Sequence, residues 1–69
     1  MILPLYEYQD NKLTLWLPKH ARFSLEPELS YYRDDPQGHT FRGARYVIES
    51  APAEVLLTIL DQSYRLVNA

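Results

Sequence analysis

Residues 2–17 read ILPLYEYQDNKLTLWL, a pattern that predicts a β-hairpin. Asp10 and Asn11 form a two-residue turn signal between two apolar runs, and both residue types tolerate positive φ. A two-residue loop sets the register of the ladder and brings Leu5 opposite Trp16. Because side chains alternate across a strand, the hairpin has two distinct faces. One face carries Tyr6, Tyr8, Leu13, Leu15 and Leu17, and the other carries Leu3, Leu5, Glu7, Thr14 and Trp16.

The C-terminal stretch predicts an amphipathic helix over residues 51–67. Ser50 is the expected N-cap, Pro52 suits the first turn because its missing N–H costs nothing there, and Glu54 suits the positive helix end. Projected at about 100° per residue, the mostly apolar side chains fall within one arc of about 140°. These residues are Val55, Leu56, Ile59, Leu60, Ser63, Leu66 and Val67. We expect this arc to pack on the hairpin face that carries Tyr6 and Tyr8.

Between these elements, a second hairpin is expected over residues 29–49. Residues 29–33 are rich in tyrosine, and Asp34-Asp35-Pro36-Gln37-Gly38 is a strong turn signal. Residues 39–49 then form the returning strand, in which Gly43 indicates a bulge.

The stretch at residues 18–28 is expected to be a loop or an irregular crossing, with a short strand at 22–25 as the alternative. The fold class is therefore α+β: a small antiparallel sheet of two hairpins and about four strands, with one C-terminal helix packed on one face, in the order β-β-β-β-α. All of it belongs to one small domain spanning residues 1–69.

Composition excludes several classes of function. The chain is 46% hydrophobic and 23% charged, which is ordinary for a globular domain. A net charge of −2 gives no general attraction to nucleic acid or to an anionic membrane. No apolar run approaches the ~20 residues that a membrane span needs, and no signal peptide is recognised. The chain has no cysteine, which excludes disulfides and is compatible with the cytoplasm. Taken together, these features lead us to expect a cytoplasmic protein without a membrane partner.

Residues that carry chemistry are sparse. The two histidines, His20 and His39, have no second histidine or cysteine at metal-ligand spacing. Asp34 and Asp35 are best explained as turn caps. With two glycines in the chain, phosphate-cradling loops are excluded, and no serine lies in a nucleophile motif. We therefore expect no catalytic residue, no cofactor and no metal, and a protein that is not an enzyme.

A protein-binding function explains more features of the sequence than catalysis does. One helix covers only one face of a sheet, so apolar side chains on the other face are left exposed. An exposed apolar patch on so small a domain is typical of a contact surface. The predicted protein-binding residues are Leu5, Trp16, Tyr31, Phe41, Asp34 and Asp35. The alternative explanation for Trp16 is that residues 18–28 fold over it. Stand-alone acidic domains of this size include inhibitors, antitoxin-like partners and adaptors, among them phage-encoded inhibitors, and self-association as a homodimer would add stability.

A second hypothesis is nucleic-acid binding by the Tyr/Arg-rich hairpin at 29–46. Arginines interleaved with aromatic residues can neutralise phosphates while the rings stack on bases. The candidate residues are Arg33, Arg42 and Arg45. Strand alternation sends Arg42 and Arg45 to opposite faces unless Gly43 forms a bulge, and the net charge is unfavourable, so this hypothesis ranks second.

Overall fold

The computed structural model describes residues 3–25, 29–35 and 42–69. These residues form four antiparallel strands in one open sheet, followed by one helix, which confirms the predicted α+β fold. The spatial order of the strands is β1-β2-β4-β3. The elements are β1 (Leu5–Gln9), β2 (Lys12–Pro18), β3 (Tyr31–Asp34), β4 (Gly43–Ile48) and α1 (Ala53–Val67).

The first hairpin has the predicted turn and register. Asp10 has φ 51° and Asn11 has φ 65°, which is the left-handed pair of a type I′ turn, whose twist matches that of the strands it joins. Leu5 lies opposite Trp16, as the two-residue loop predicted.

The core lies between the helix and one face of the sheet, which we call the helix face. The two central strands, β2 and β4, contribute its middle: Leu13, Leu15 and Leu17 are all 0% exposed. They lie directly opposite Ile48, Tyr46 and Ala44, respectively, which are also buried. The face that was predicted to receive the helix is therefore confirmed.

The helix begins two residues later than predicted, at Ala53, and its N-cap is Pro52 without a side-chain hydrogen bond. The predicted Ser50 cap is therefore wrong. The physical reason is that Ala51, which is 0% exposed, is held by the first hairpin. Its N–H donates to the Asn11 carbonyl at 2.6 Å, and its carbonyl accepts the Tyr8 hydroxyl at 2.7 Å. The predicted apolar arc is confirmed, with Ile59, Ser63 and Val67 fully buried on it.

The segment after β2 is irregular over its described part, residues 19–25, without the alternative strand at 22–25. Its buried residues Ala21 and Phe23 join the core beside Tyr46, and the His20 Nε2 atom donates to the Val67 carbonyl at 3.2 Å. This described part therefore packs on the helix side of the sheet, so the alternative in which it covers Trp16 is wrong for these residues.

The second hairpin pairs β3 with β4 in one constant register, and β4 pairs with β2 in another. Gly43 continues the ladder opposite Pro18, so it forms no bulge against β2. On the β3 side, the position opposite Gly43 lies outside the described residues. The turn residues 36–38 and the predicted strand start at 39–41 lie outside the described residues.

Candidate interaction surface

The sheet face opposite the helix, which we call the open face, carries side chains in two rows across the four strands. The strand registers define the rows. The first row is Leu5, Trp16, Arg45 and Asp34, and the second row is Glu7, Thr14, Val47 and Tyr32. Exposure rises from the centre of the sheet toward its edges. Val47, on the central strand β4, is 4% exposed, whereas Leu5 on β1 and Tyr32 on β3 are 62% and 50% exposed.

Trp16 and Leu5 are neighbours across the first hairpin on this open face. Trp16 is half-buried. Both residues line a shallow pocket of about 170 Å³, together with Leu3, Pro4 and Arg42 among others. An apolar strip therefore runs from the open face around the start of β1.

Asp34, another predicted site residue, is held by Arg45 within the first row. Arg45 Nη2 donates to Asp34 Oδ2 at 2.8 Å, and its Nε donates to Oδ1 at 3.1 Å. The hydrogen bond and the charge of this carboxylate raise the pKa of Arg45. Both side chains stay about 40% exposed, so this two-bond pair is a polar feature of the open face.

Tyr31 lies on the other face from Leu5 and Trp16. It is paired opposite Ile48, its ring centroid is 6.0 Å from that of Tyr46, and its hydroxyl donates to the Phe23 carbonyl at 3.4 Å. Its neighbour Tyr32 occupies the open face instead.

The remaining predicted binding residues are separate from this surface or undescribed. Asp35 is exposed after the end of β3 and lies 3.5 Å from Arg33, while Phe41 lies outside the described residues. The structure therefore brings together Leu5, Trp16 and Asp34 but not the whole predicted set.

The three arginines of the nucleic-acid hypothesis do not form one patch. Arg33 lies on the helix face, with its guanidinium carbon 5.9 Å from the centre of the Tyr46 ring. Arg45 lies on the open face and is paired with Asp34. Arg42 is exposed before β4 and lines the pocket beside Trp16. Two of the three are thus on opposite faces, and each of those two has a carboxylate partner.

Sequence reasoning missed an apolar groove between β1 and the helix, which we call the edge groove. Its volume is about 360 Å³. It is lined by Leu3, Pro4, Tyr6, Leu57, Leu60 and Tyr64, together with Asp61. The sequence did mark Leu57 as an apolar residue outside the buried arc, because it lies at the border of the helix's polar arc. In the structure its side chain is 77% exposed. The strand order was needed to place β1 beneath it.

Comparisons of the chain with protein-family models, curated proteins and solved structures found no match. Within residues 3–25, 29–35 and 42–69, no three histidine, aspartate or glutamate side chains are grouped so that they could hold a metal ion. In the same ranges, no helix combines the length and apolar character needed to cross a bilayer.

Proposed function

We propose that this protein is a non-enzymatic protein-binding module of the inhibitor, regulator or adaptor type, which acts by occupying a surface of a partner protein. One observation carries the proposal. Four large apolar or aromatic side chains that are more than half exposed lie on or beside strand β1: Leu3 (71%), Leu5 (62%), Tyr6 (51%) and Leu57 (77%). Apolar exposure concentrated around one element favours a contact surface over scattered surface residues.

The chemistry of this surface favours a protein partner. Leucine, tyrosine and tryptophan supply the apolar anchors that are buried at the centre of protein interfaces. Nucleic acid requires clustered cations instead, and Arg33 and Arg45 are split between the two faces and engaged with carboxylates. The nucleic-acid hypothesis therefore receives no support from the placement of these arginines.

A homodimer is part of the proposal. Two copies can bury Trp16 by packing their open faces together. Such a dimer leaves the outer side of β1 accessible, because that side points away in the plane of the sheet.

The test is affinity capture from the native host's lysate, with and without nuclease. Two surface variants, Leu5→Asp and Leu57→Asp, place a charge in the apolar strip. Thr58→Asp is the matched control, because it puts the same charge on the next residue of the helix, on the side away from β1.

We expect the wild type and Thr58→Asp to retain one protein at near-stoichiometric amount after nuclease treatment, and both strip variants to lose it. Retention of nucleic acid alone would contradict the proposal. So would a partner that binds all four chains equally.

A further inference from the structure

Strand β1 is at an edge of the sheet, and the type I′ turn determines which of its main-chain groups are available. Gln9 and Lys12 flank the two-residue turn, so they form a hydrogen-bonded pair, and bonded pairs recur at every second residue of an antiparallel ladder. The N–H and C=O groups of Tyr6 and Tyr8 therefore point outward. No other strand of the described ranges pairs with this side of β1.

The edge groove lies beside the outward-pointing groups of Tyr6, on the helix face. Tyr6 supplies its sheet side, and Leu57 and Tyr64 supply its helix side. A strand added beyond β1 would project alternate side chains toward this groove, since side chains alternate across a strand. The groove is almost wholly apolar, so the added strand needs apolar residues at those positions.

On the open face, the same added strand would meet Glu7. This glutamate is exposed and forms no ion pair with any described residue. Lys12 lines the same polar hollow at the turn end of the hairpin but stays beyond ion-pair distance. In an antiparallel addition, the residue opposite Glu7 belongs to a non-hydrogen-bonded pair, in which side chains come closest. A lysine or arginine suits that position because opposite charges stabilise a cross-strand pair.

A second copy of β1 is a poor occupant of this edge. If Tyr6 bonds with Tyr8 of the second copy, the two Glu7 side chains lie directly opposite each other and repel. If Tyr6 bonds with its own counterpart, Tyr8 lies opposite Pro4 of the second copy, whose nitrogen carries no hydrogen to donate. A third register places Tyr8 opposite its own counterpart, but it brings Tyr6 opposite Asp10, which lies in the turn with φ 51° and is not extended. All three symmetric registers therefore carry a penalty that a different strand avoids.

We infer that β1 binds an extended segment of a partner protein by antiparallel strand addition. The segment carries a lysine or arginine opposite Glu7 and apolar residues opposite Tyr6 and Tyr8. Both apolar side chains lie on the helix face, and the one opposite Tyr6 lies along the edge groove. This inference rests on the proposed function and specifies its partner as an apolar-basic-apolar strand.

The first test selects a displayed library of random nonapeptides against the immobilised full chain, in parallel with its Glu7→Lys variant. We expect the wild type to enrich apolar-basic-apolar triplets and the variant to enrich apolar-acidic-apolar triplets. Synthetic peptides of the two kinds should then differ in Kd by about fivefold on each chain, in opposite directions. Circular dichroism checks that the variant, whose substitution is at an exposed position, keeps the fold.

The second test uses N-methylated versions of the best synthetic peptide. Methylation of the two apolar residues should abolish binding, because their N–H groups donate to the Tyr6 and Tyr8 carbonyls. Methylation of the basic residue between them should leave Kd unchanged, because its N–H points away from β1. Equal loss of affinity on methylation at all three positions would overturn strand addition. So would a Glu7→Lys variant that still enriches apolar-basic-apolar triplets.

Three further outcomes show how this inference and the proposed function can fail separately or together. If the selected peptides lose binding with Trp16→Ala but tolerate every N-methylation, strand addition is wrong and the protein-binding function stands. If no peptide is enriched and the lysate yields no partner, both are wrong. A dimer in solution that Leu57→Asp dissociates would show that a second copy occupies the edge, which also overturns the inference.

Discussion

Tyr46 joins the irregular segment after β2 to the sheet. Its side chain is buried, and its hydroxyl accepts the Phe23 N–H at 3.2 Å. The two rings also meet edge to face, with centroids 5.8 Å apart. Tyr46 therefore helps to position Phe23 over the core, together with Tyr31, whose hydroxyl donates to the Phe23 carbonyl.

We expect Tyr46→Phe to lower the free energy of unfolding by about 1–3 kcal/mol, because it leaves the buried Phe23 N–H without an acceptor. Tyr31→Phe is the control. It removes a hydroxyl that contacts the same residue at 3.4 Å from a partly exposed ring, and it should cost under about 1 kcal/mol. Urea unfolding of the two variants measures the difference. Equal losses would show that the buried hydrogen bond is not the stabilising feature.

Ser63 is a polar residue on the apolar arc of the helix. It is 0% exposed, and its hydroxyl donates to the Ile59 carbonyl one turn earlier at 2.8 Å. The hydroxyl therefore has its hydrogen-bond partner within the helix. The small serine side chain lets the helix pack close to the sheet.

Ser63→Ala should change the free energy of unfolding by less than about 0.5 kcal/mol, because alanine favours the helix and leaves no polar atom without a partner. Ser63→Leu should destabilise by about 1–3 kcal/mol, because the added atoms overpack the interface. Gln62→Leu, at the exposed neighbouring position, controls for the change of residue type. Thermal unfolding distinguishes them, and a Ser63→Leu chain as stable as wild type would contradict close packing at this site.

At the scale of elements, the first hairpin organises both the sheet and the start of the helix. Its turn needs positive φ at two consecutive residues, and its tip is joined to Ala51 by main-chain and side-chain hydrogen bonds. The turn therefore also determines where the helix can begin.

We expect Asn11→Gly to be neutral or slightly stabilising, because glycine adopts positive φ without a steric cost. Asn11→Val should cost about 1–2 kcal/mol, since a β-branched side chain clashes in the left-handed region. Gln9→Val, which places the same residue in the extended backbone of β1, should change stability by under about 0.5 kcal/mol. Denaturant unfolding provides all three values. A tolerated Asn11→Val would show that the turn can take another form.

The elements also show which features local sequence can predict. The first hairpin and the helix arc were predictable, because a two-residue turn sets the register and a long apolar period sets the buried arc. The face on which Tyr31 lies could not be predicted, because β3 spans only Tyr31–Asp34, and a shift of one residue in so short a strand moves each side chain to the other face. The Ser50 cap failed because a distant contact between Ala51 and the hairpin overrides the local capping preference.

At the scale of the whole molecule, the strand order determines the candidate site. β2 and β4 occupy the centre of the sheet and β1 lies at its edge, which places Tyr6 beside Leu57 and exposes the outer main chain of β1. Periodicity along one chain carries no information on which strands become neighbours, so the edge groove could not be predicted. The existence of an open face could be predicted, because one helix covers only one side of the sheet.

The proposed homodimer is a property of the whole molecule, and its size can be stated. A standard interface buries about 800 Å² on each partner, roughly a sixth of the 5140 Å² accessible surface of this chain. If the open faces pack around Trp16 as proposed, we expect sedimentation equilibrium to give twice the 8.1 kDa chain mass. Trp16→Ala and Leu5→Asp should shift it toward the monomer, whereas Thr58→Asp, on the helix, should leave it unchanged. A wild-type mass of 8.1 kDa at every concentration would contradict the dimer.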